Sequence, residues 1–389
     1  MSITEYFTKL KSKLKDPSYR RGINIATANY RIKRKIYIDD YIENLAREVR
    51  KIKEFSIDNL EEMVKIAMDT LRENGCEVYL AENAKKALEI VKDLVKPGDI
   101  LVKGKSMTTE EIMLREELTE YGVELWETDL GELLIQLANE FPSHPVTPAI
   151  HMTRETIAEL LREKLNANVS SDPEDITRFV RGFLRKKFIN AAVGMTGANA
   201  VSARDGVILT MENEGNIRLS SGLPDKYIAV VGIEKIVPTI QDAFRVLEVT
   251  WRYAGYKVIN YINAVAGPSK TGDIEKIIVK GVHGPREVHV IFLDNGRSEM
   301  AKHPVFKEAL YCLRCGACIY ECPLFQVAGG NFGYKYIAGI GAIWVYHTIS
   351  KKIGLSMAYS CLRDGRCKIV CPLKIDTPKM ILELRKSHE

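Results

Sequence analysis

The chain has 389 residues, 46% of them apolar and 28% charged. That balance excludes a disordered or fibrous chain and leaves room for about two domains. The N-terminal MSITEYFTKLKSKLKD has no apolar segment with a small-residue cleavage site, and the longest nonpolar stretch, 336–346, is too short to span a bilayer. The reading is a cytoplasmic protein that is not an integral membrane protein. The net charge of +5 is uneven: residues 1–53 carry 14 Lys/Arg against 6 Asp/Glu. Such an arm suits either a solvated helical face or an anionic partner. No aromatic residues interleave it in a nucleic-acid pattern, so no nucleic acid is expected.

In chain order, residues 1–55 form a basic helical N-terminal segment. A helix follows at 57–74, on the spacing of Leu60, Met63, Val64, Ile66, Ala67 and Leu71. Predicted strands at 76–81, 99–104 and 123–128 then alternate with helices at 84–95, 108–122 and 131–139, which implies βαβ units and a parallel sheet. A proline-containing loop at 141–151 holds His144 and His151, both expected to be structural. Helices at 153–166 and 173–189, a strand-rich part at 191–234, a helix at 238–254 and a strand at 288–294 complete an α/β domain over 56–300. Cys76, at the start of a strand, reads as a buried small hydrophobe.

Within this domain, Lys103, Lys105, Ser106 and Thr108 follow a strand and open a helix. Loop amides, hydroxyls and two lysines there make an anion site; capping by Ser106 or Thr108 explains the same residues without a ligand. The run Glu127-Thr-Asp129-Leu-Gly-Glu132 also lies where a strand meets a helix, the edge at which open α/β sheets bind ligands. A capping box accounts for Glu132 equally well. Asn199 and Glu214, in loops whose glycines serve turns, complete the candidate pocket. No residue is assigned as catalytic, and no flavin or nicotinamide fingerprint is present.

Seven of the eight cysteines crowd into 312–371, which points to metal rather than disulfides in a chain without a secretory signal. Cys312, Cys315, Cys318 and Cys322, the last followed by Pro323, form C-x2-C-x2-C-x3-C-P. In this pattern three thiolates wrap one iron–sulfur cube and the fourth reaches another. A zinc ribbon wants two C-x2-C pairs farther apart and no trailing Cys-Pro. The second run, Cys361-Leu-Arg-Asp364-Gly-Arg-Cys367-Lys-Ile-Val-Cys371-Pro, repeats the template with Asp at its second position. Crossed ligation gives Cys312, Cys315, Cys318 and Cys371 to cluster one, and Cys322, Cys361, Cys367 and candidate Asp364 to cluster two. Asp364 has an alternative, a surface pair with Arg363 or Arg366. A carboxylate is a harder ligand than a thiolate, so the second [4Fe–4S] cluster is expected to convert to [3Fe–4S]. The stretch between the motifs ends in IAGIGAIWVYHTISKKIGL and reads as helical, giving an all-helical ferredoxin-type module over 301–389.

With these motifs in place, the chain resembles the lactate utilization protein B family, in which an LUD domain joins a ferredoxin-type module. The resemblance rests on VKGKSMTTEEI, ETDLGELLIQLANEFPSH, PAIHMTRETIAEL, GMTGANAVSARDGVILTMENEGNIRLSSGLP, VGIEKIVPT, LDNGRS and CLRCGACIYECPLF, and covers nearly the whole chain. It implies a NagB/RpiA-like α/β fold for the LUD region. It also implies an electron-transfer role, as an oxidoreductase subunit, in oxidising L-lactate to pyruvate with companion lactate-utilization proteins. Members tend to lose the first cysteine of the second motif, whereas here the second is replaced. Two other readings stay open: a redox adaptor for another oxidoreductase, for example of heterodisulfide-reductase type, and an LUD-domain binder of a phosphorylated or CoA-like ligand.

Overall fold

The structure, a computed structural model, describes residues 2–14 and 17–386; Met1, Lys15, Asp16 and 387–389, parts of the two terminal segments outlined above, lie outside the described residues. The strands are β1 (Glu77–Ala81), β2 (Ile100–Lys103), β3 (Glu124–Glu127), β4 (Val193–Thr196), β5 (Ala200–Ser202), β6 (Val207–Glu212), β7 (Lys226–Gly232), β8 (Ile236–Val237), β9 (Tyr261–Val265), β10 (Lys270–Ile274), β11 (Ile277–Lys280) and β12 (Glu287–Leu293). The main sheet runs β1-β12-β7-β4-β2-β3 with every pair parallel. Helices cover both faces, so its central strands are continuous apolar runs: Tyr227 to Val231 of β7 are fully buried. A second, mixed sheet runs β8-β5-β6-β9.

The strand-rich part 191–234 is therefore divided, β4 and β7 joining the main sheet while β5 and β6 build the second. The hairpin β10–β11 was invisible to hydrophobic periodicity because β11 is exposed along its length. Two predicted helices are each two. The segment at 57–74 breaks at Asn59, between helices Asp40–Asp58 and Leu60–Glu73. The segment at 108–122 breaks at Met113, which is left-handed (φ 57°). Before that break, helix Met107–Glu111 turns Glu110 and Glu111 inward to buried cations; after it, Leu114 and Leu118 pack under the sheet.

The C-terminal part is not all-helical. Between helices Pro323–Ala328 and Ala338–Thr348 lies a short hairpin, β13 (Gly333–Tyr334) and β14 (Tyr336–Ile337). Its turn residue Lys335 is left-handed (φ 61°), and its ammonium meets Glu110 at 3.0 Å and Glu116 at 2.9 Å. The gain of two ion pairs explains a turn the local sequence did not announce. Helix Ala338–Thr348 is apolar on all sides because it is buried on all sides; among the described residues no helix is long and apolar enough to cross a membrane.

One continuous core joins the N-terminal helices, the second sheet and the cysteine-rich part. The N-terminal arm packs on the cysteine-rich part: Tyr30 stacks on Tyr320 with ring centroids 4.4 Å apart, and Arg31 pairs with Glu321 at 2.7 Å.

Candidate functional site

The two cysteine motifs share one backbone. Arg314 and Arg363 are both left-handed (φ 60° and 56°), as are Gly316 and Gly365 (φ 81° and 84°). Short helices, Ala317–Tyr320 and Arg366–Val370, follow each glycine. Cys322 and Cys371 are extended and precede prolines. Gly316 is required twice over, because a β carbon there would also lie 2.7 Å from His144 Cε1; at Gly365 the space is open.

This repeat gathers the side chains around two small adjoining cavities. One is lined by Cys312, Cys315, Cys318, Cys367 and Cys371, the other by Cys318, Cys322, Cys361, Asp364 and Cys367. Each motif's last cysteine thus lines a cavity together with cysteines of the other motif. Among the described residues no three His, Cys, Asp or Glu side chains converge as a single-ion site requires. Burial first, then neighbouring sulfurs, pushes the thiol of Cys367 up to about 12; burial likewise takes Cys322 and Cys371 to about 11. Backbone N–H groups of Leu324 and Phe325 at Cys322, and of Leu373 and Ile375 at Cys371, work the other way. Crowded buried thiols become thiolates when bound metal charge offsets them. Soft donors ringing two adjoining cavities fit two iron–sulfur clusters, which supply one-electron carriers when bound.

Asp364 does two things. It lines the second cavity, and its Oδ2 lies 3.3 Å from Arg366 Nε while Oδ1 accepts the Arg366 N–H at 3.4 Å. It is exposed, whereas Cys315, its counterpart in the first motif, is buried. Leu362 and Ile369 of the second motif are about two-thirds exposed (67% and 69%), beside Arg363, Arg366 and Lys368.

A third cavity, of about 250 Å³, lies at the carboxyl edge of the main sheet. Lys105, Ser106 and Thr108 reach it from the end of β2, Asp129 from β3, Asn199 from β4 and Lys235 from β7. Glu212 and Glu214 come from the end of β6, and Leu313, Arg314 and Cys315 of the first cysteine motif close it. Lys105 Nζ is 3.0 Å from Asp129 Oδ2 and donates to Val146 O at 3.1 Å. Ser106 Oγ accepts the Thr109 N–H at 3.4 Å, capping a five-residue helix. Asn199 Oδ1 accepts the Met211 N–H at 3.0 Å, and Glu214 Oε2 the Leu130 N–H at 3.2 Å.

Lys103 and Glu132 do not line this cavity. Lys103 is buried against Glu127 at 2.7 Å and Glu110 at 3.6 Å. The Glu132 N–H is donated to Asp129 Oδ1 at 3.1 Å, and burial, then Glu127, pushes the Glu132 carboxyl up to about 8. His144 Nδ1 accepts the Val146 N–H at 3.1 Å; His151 bonds Ser143 and Glu140, each at 2.8 Å. Cys76 is buried.

Two functional features were missed in the sequence. Lys235, only 8% exposed, faces the cavity without a hydrogen bond or ion pair among the described residues. Burial first, then Arg314, pushes its ammonium down to about 7. The available signal was a lysine at the end of the apolar run YIAVVGIEKIV, where a central strand meets the ligand-binding edge. The other feature is the buried ion network beside it. Arg297 forks onto Glu111 with two bonds of 2.8 Å and also meets Glu234, which in turn meets Arg314 at 2.7 Å. Tyr336 donates to Glu111 at 2.6 Å, and Lys53 Nζ donates to the Glu234 carbonyl.

Comparison with known proteins agrees with this layout. Residues 64–293 match the LUD domain and 308–375 the 4Fe-4S dicluster domain. Lactate utilization protein B 1 of Bacillus mycoides (strain KBAB4) is 36% identical over 346 residues, covering 88% of this chain and 70% of that protein. The chain belongs to the lactate utilization protein B family. A family member from Bacillus cytotoxicus is 35% identical over 345 residues, covering 86% of this chain and 70% of its own. The uncharacterized electron transport protein YkgF of Escherichia coli (strain K12) is 33% identical over 396 residues, covering 99% of this chain and 80% of YkgF. An iron–sulfur protein with an electron-transfer role is what these matches support.

Proposed function

We propose that this chain is the iron–sulfur electron-transfer subunit of a complex that oxidises L-lactate to pyruvate. The observation that carries the reading is shared wall: Leu313 and Cys315 line both the sheet-edge cavity and the first cysteine cavity. A small molecule bound at the edge of the LUD domain is thereby in contact with the first cluster's cage. The name of the Bacillus relatives supplies lactate.

In this reading Cys312, Cys315, Cys318 and Cys371 hold the first [4Fe–4S] cluster. Cys322, Cys361, Cys367 and Asp364 hold the second, which loses iron at Asp364 to give [3Fe–4S]. The two cages share Cys318 and Cys367 in their walls. Lys105, Thr108, Asn199 and Glu214 bound the substrate cavity. Companion lactate-utilization proteins are this chain's partners in this reading, on the name of the Bacillus relatives. The test is deletion of the gene together with isolation of the native complex and a lactate-to-dye electron-transfer assay. Growth on L-lactate should be impaired and the complex should reduce the dye; normal growth of the deletion strain rejects the lactate assignment.

The name of YkgF, an electron transport protein, favours a second reading as a redox adaptor for another oxidoreductase. The partner recovered with the native complex separates the two.

A further inference from the structure

Three cations reach the wall of the sheet-edge cavity: Lys105, Lys235 and Arg314. Two are offset within the protein, Lys105 by Asp129 at 3.0 Å and Arg314 by Glu234 at 2.7 Å. Lys235, 8% exposed, has no hydrogen bond or ion pair of its own among the described residues, and the nearby Glu234 carboxylate that attracts it is already shared by Arg297 and Arg314. A buried ammonium without a directly paired counter-ion is costly, and that cost is relieved by an anion in the cavity it lines.

The rest of the wall limits what that anion is. Asp129 is held by Lys105, Glu212 accepts the N–H groups of Ile217 (2.6 Å) and Arg218 (2.8 Å), and Glu214 accepts that of Leu130 (3.2 Å). One open cation among three carboxylates pairs with a single negative charge and repels a second. A cavity of about 250 Å³ suits a small molecule. The shared wall at Cys315 places that molecule beside the first cysteine motif.

We propose that Lys235 is the anion receptor of this cavity and that its ligand is a small monocarboxylate carrying a 2-hydroxy or 2-oxo group. The charge class follows from the wall, and the hydroxy or oxo group rests on the function proposed above. Lys235 binds the carboxylate; Thr108 and Asn199, on the same wall, offer hydrogen bonds to the neighbouring oxygen.

The experiment uses anaerobically purified, cluster-replete protein. L-lactate, pyruvate and inorganic phosphate are titrated by calorimetry, and the reduced protein is followed by electron paramagnetic resonance with and without each. L-lactate or pyruvate should bind and perturb the signal of the first cluster, and phosphate should not compete. Lys235→Met should weaken monocarboxylate binding at least tenfold with iron and sulfide content unchanged. Lys235→Arg keeps the charge and should bind within a few-fold of wild type. It decides alone if the methionine variant loses its clusters, and its failure to bind then overturns the proposal. Phosphate binding in place of monocarboxylates, no monocarboxylate binding at all, or equal binding by Lys235→Met each overturns it. So does a Lys235→Met variant that alters the ligand-free signal while binding normally, since Lys235 then serves the cluster. Monocarboxylate binding with normal growth of the deletion strain keeps the receptor and rejects only the lactate physiology.

Discussion

Arg314 Nη2 lies 2.7 Å from Glu234 Oε1, so a residue of the first cysteine motif is ion-paired to the end of a central strand of the α/β sheet. Glu234 is fully buried and also meets Arg297, which is itself fully buried and forks onto Glu111. The pairing fixes the cysteine motif against the turn that carries Lys235. Removing one member of a buried ion network leaves a charge uncompensated. Glu234→Gln should therefore cost about 3–5 kcal/mol, read as a lower melting temperature of the cluster-loaded protein, and should also loosen the first cluster.

The same network sets the response to acid. Burial works to raise the carboxyls of Glu234 and Glu110, and their cationic neighbours overcome it: Arg297 and Arg314 hold Glu234 far below the usual range, and Lys103 and Lys335 bring Glu110 to about 2. A carboxyl whose pKa falls on folding stabilises the fold above its unfolded value of about 4.3, and that stability is lost as pH falls through the folded value. The contribution of Glu110, read as the difference in stability between wild type and Glu110→Gln, should be level from about pH 7 to 5 and shrink steadily below. Unfolding midpoints across that range provide the check.

Crossed ligation is tested at Cys371. Its side chain lines the cavity built by Cys312, Cys315 and Cys318, although it belongs to the second motif. Cys371→Ala should damage the first cluster and spare the second. Loss of the second cluster alone, by spectroscopy, rejects the crossed assignment.

Asp364 holds an ion pair with Arg366 and a place in the second cavity at once. As a ligand, it should make the second cluster labile. Oxidised wild type should show a three-iron signal that ferrous iron and reductant diminish, and Asp364→Cys should suppress it. Two oxidation-resistant four-iron clusters that survive Asp364→Ala would leave Asp364 as a surface partner of Arg366.

The paired glycines predict an asymmetry. At both, a side chain in the left-handed region costs about 1–2 kcal/mol. At Gly316 the new β carbon also meets His144, at 2.7 Å from Cε1 and 2.8 Å from Nε2, whereas at Gly365 nothing lies within 4 Å. Gly316→Ala should lose iron from the first cluster, while Gly365→Ala should retain both clusters with a modest fall in melting temperature. Iron content and thermal unfolding of the two variants decide.

The sequence by itself determined what is local. Cysteine spacing is a property of a dozen consecutive residues, so two cluster motifs with Asp364 in a ligand's place could be read directly. Alternating strand and helix periods likewise disclosed the parallel sheet. The tertiary structure decided what depends on residues far apart. Lys103 and Lys105, two positions apart, go to different surroundings, one to the buried Glu127 and one to the cavity wall. Ser106 is spent on a helix cap. Lys235 becomes a cavity residue because β7 is central in the sheet and the first cysteine motif folds over its end. The hairpin at Lys335 exists because Glu110 and Glu116, more than two hundred positions earlier, receive its ammonium. Charge pairing across such separations leaves no period in the sequence, because it is set by which strand ends the fold brings together.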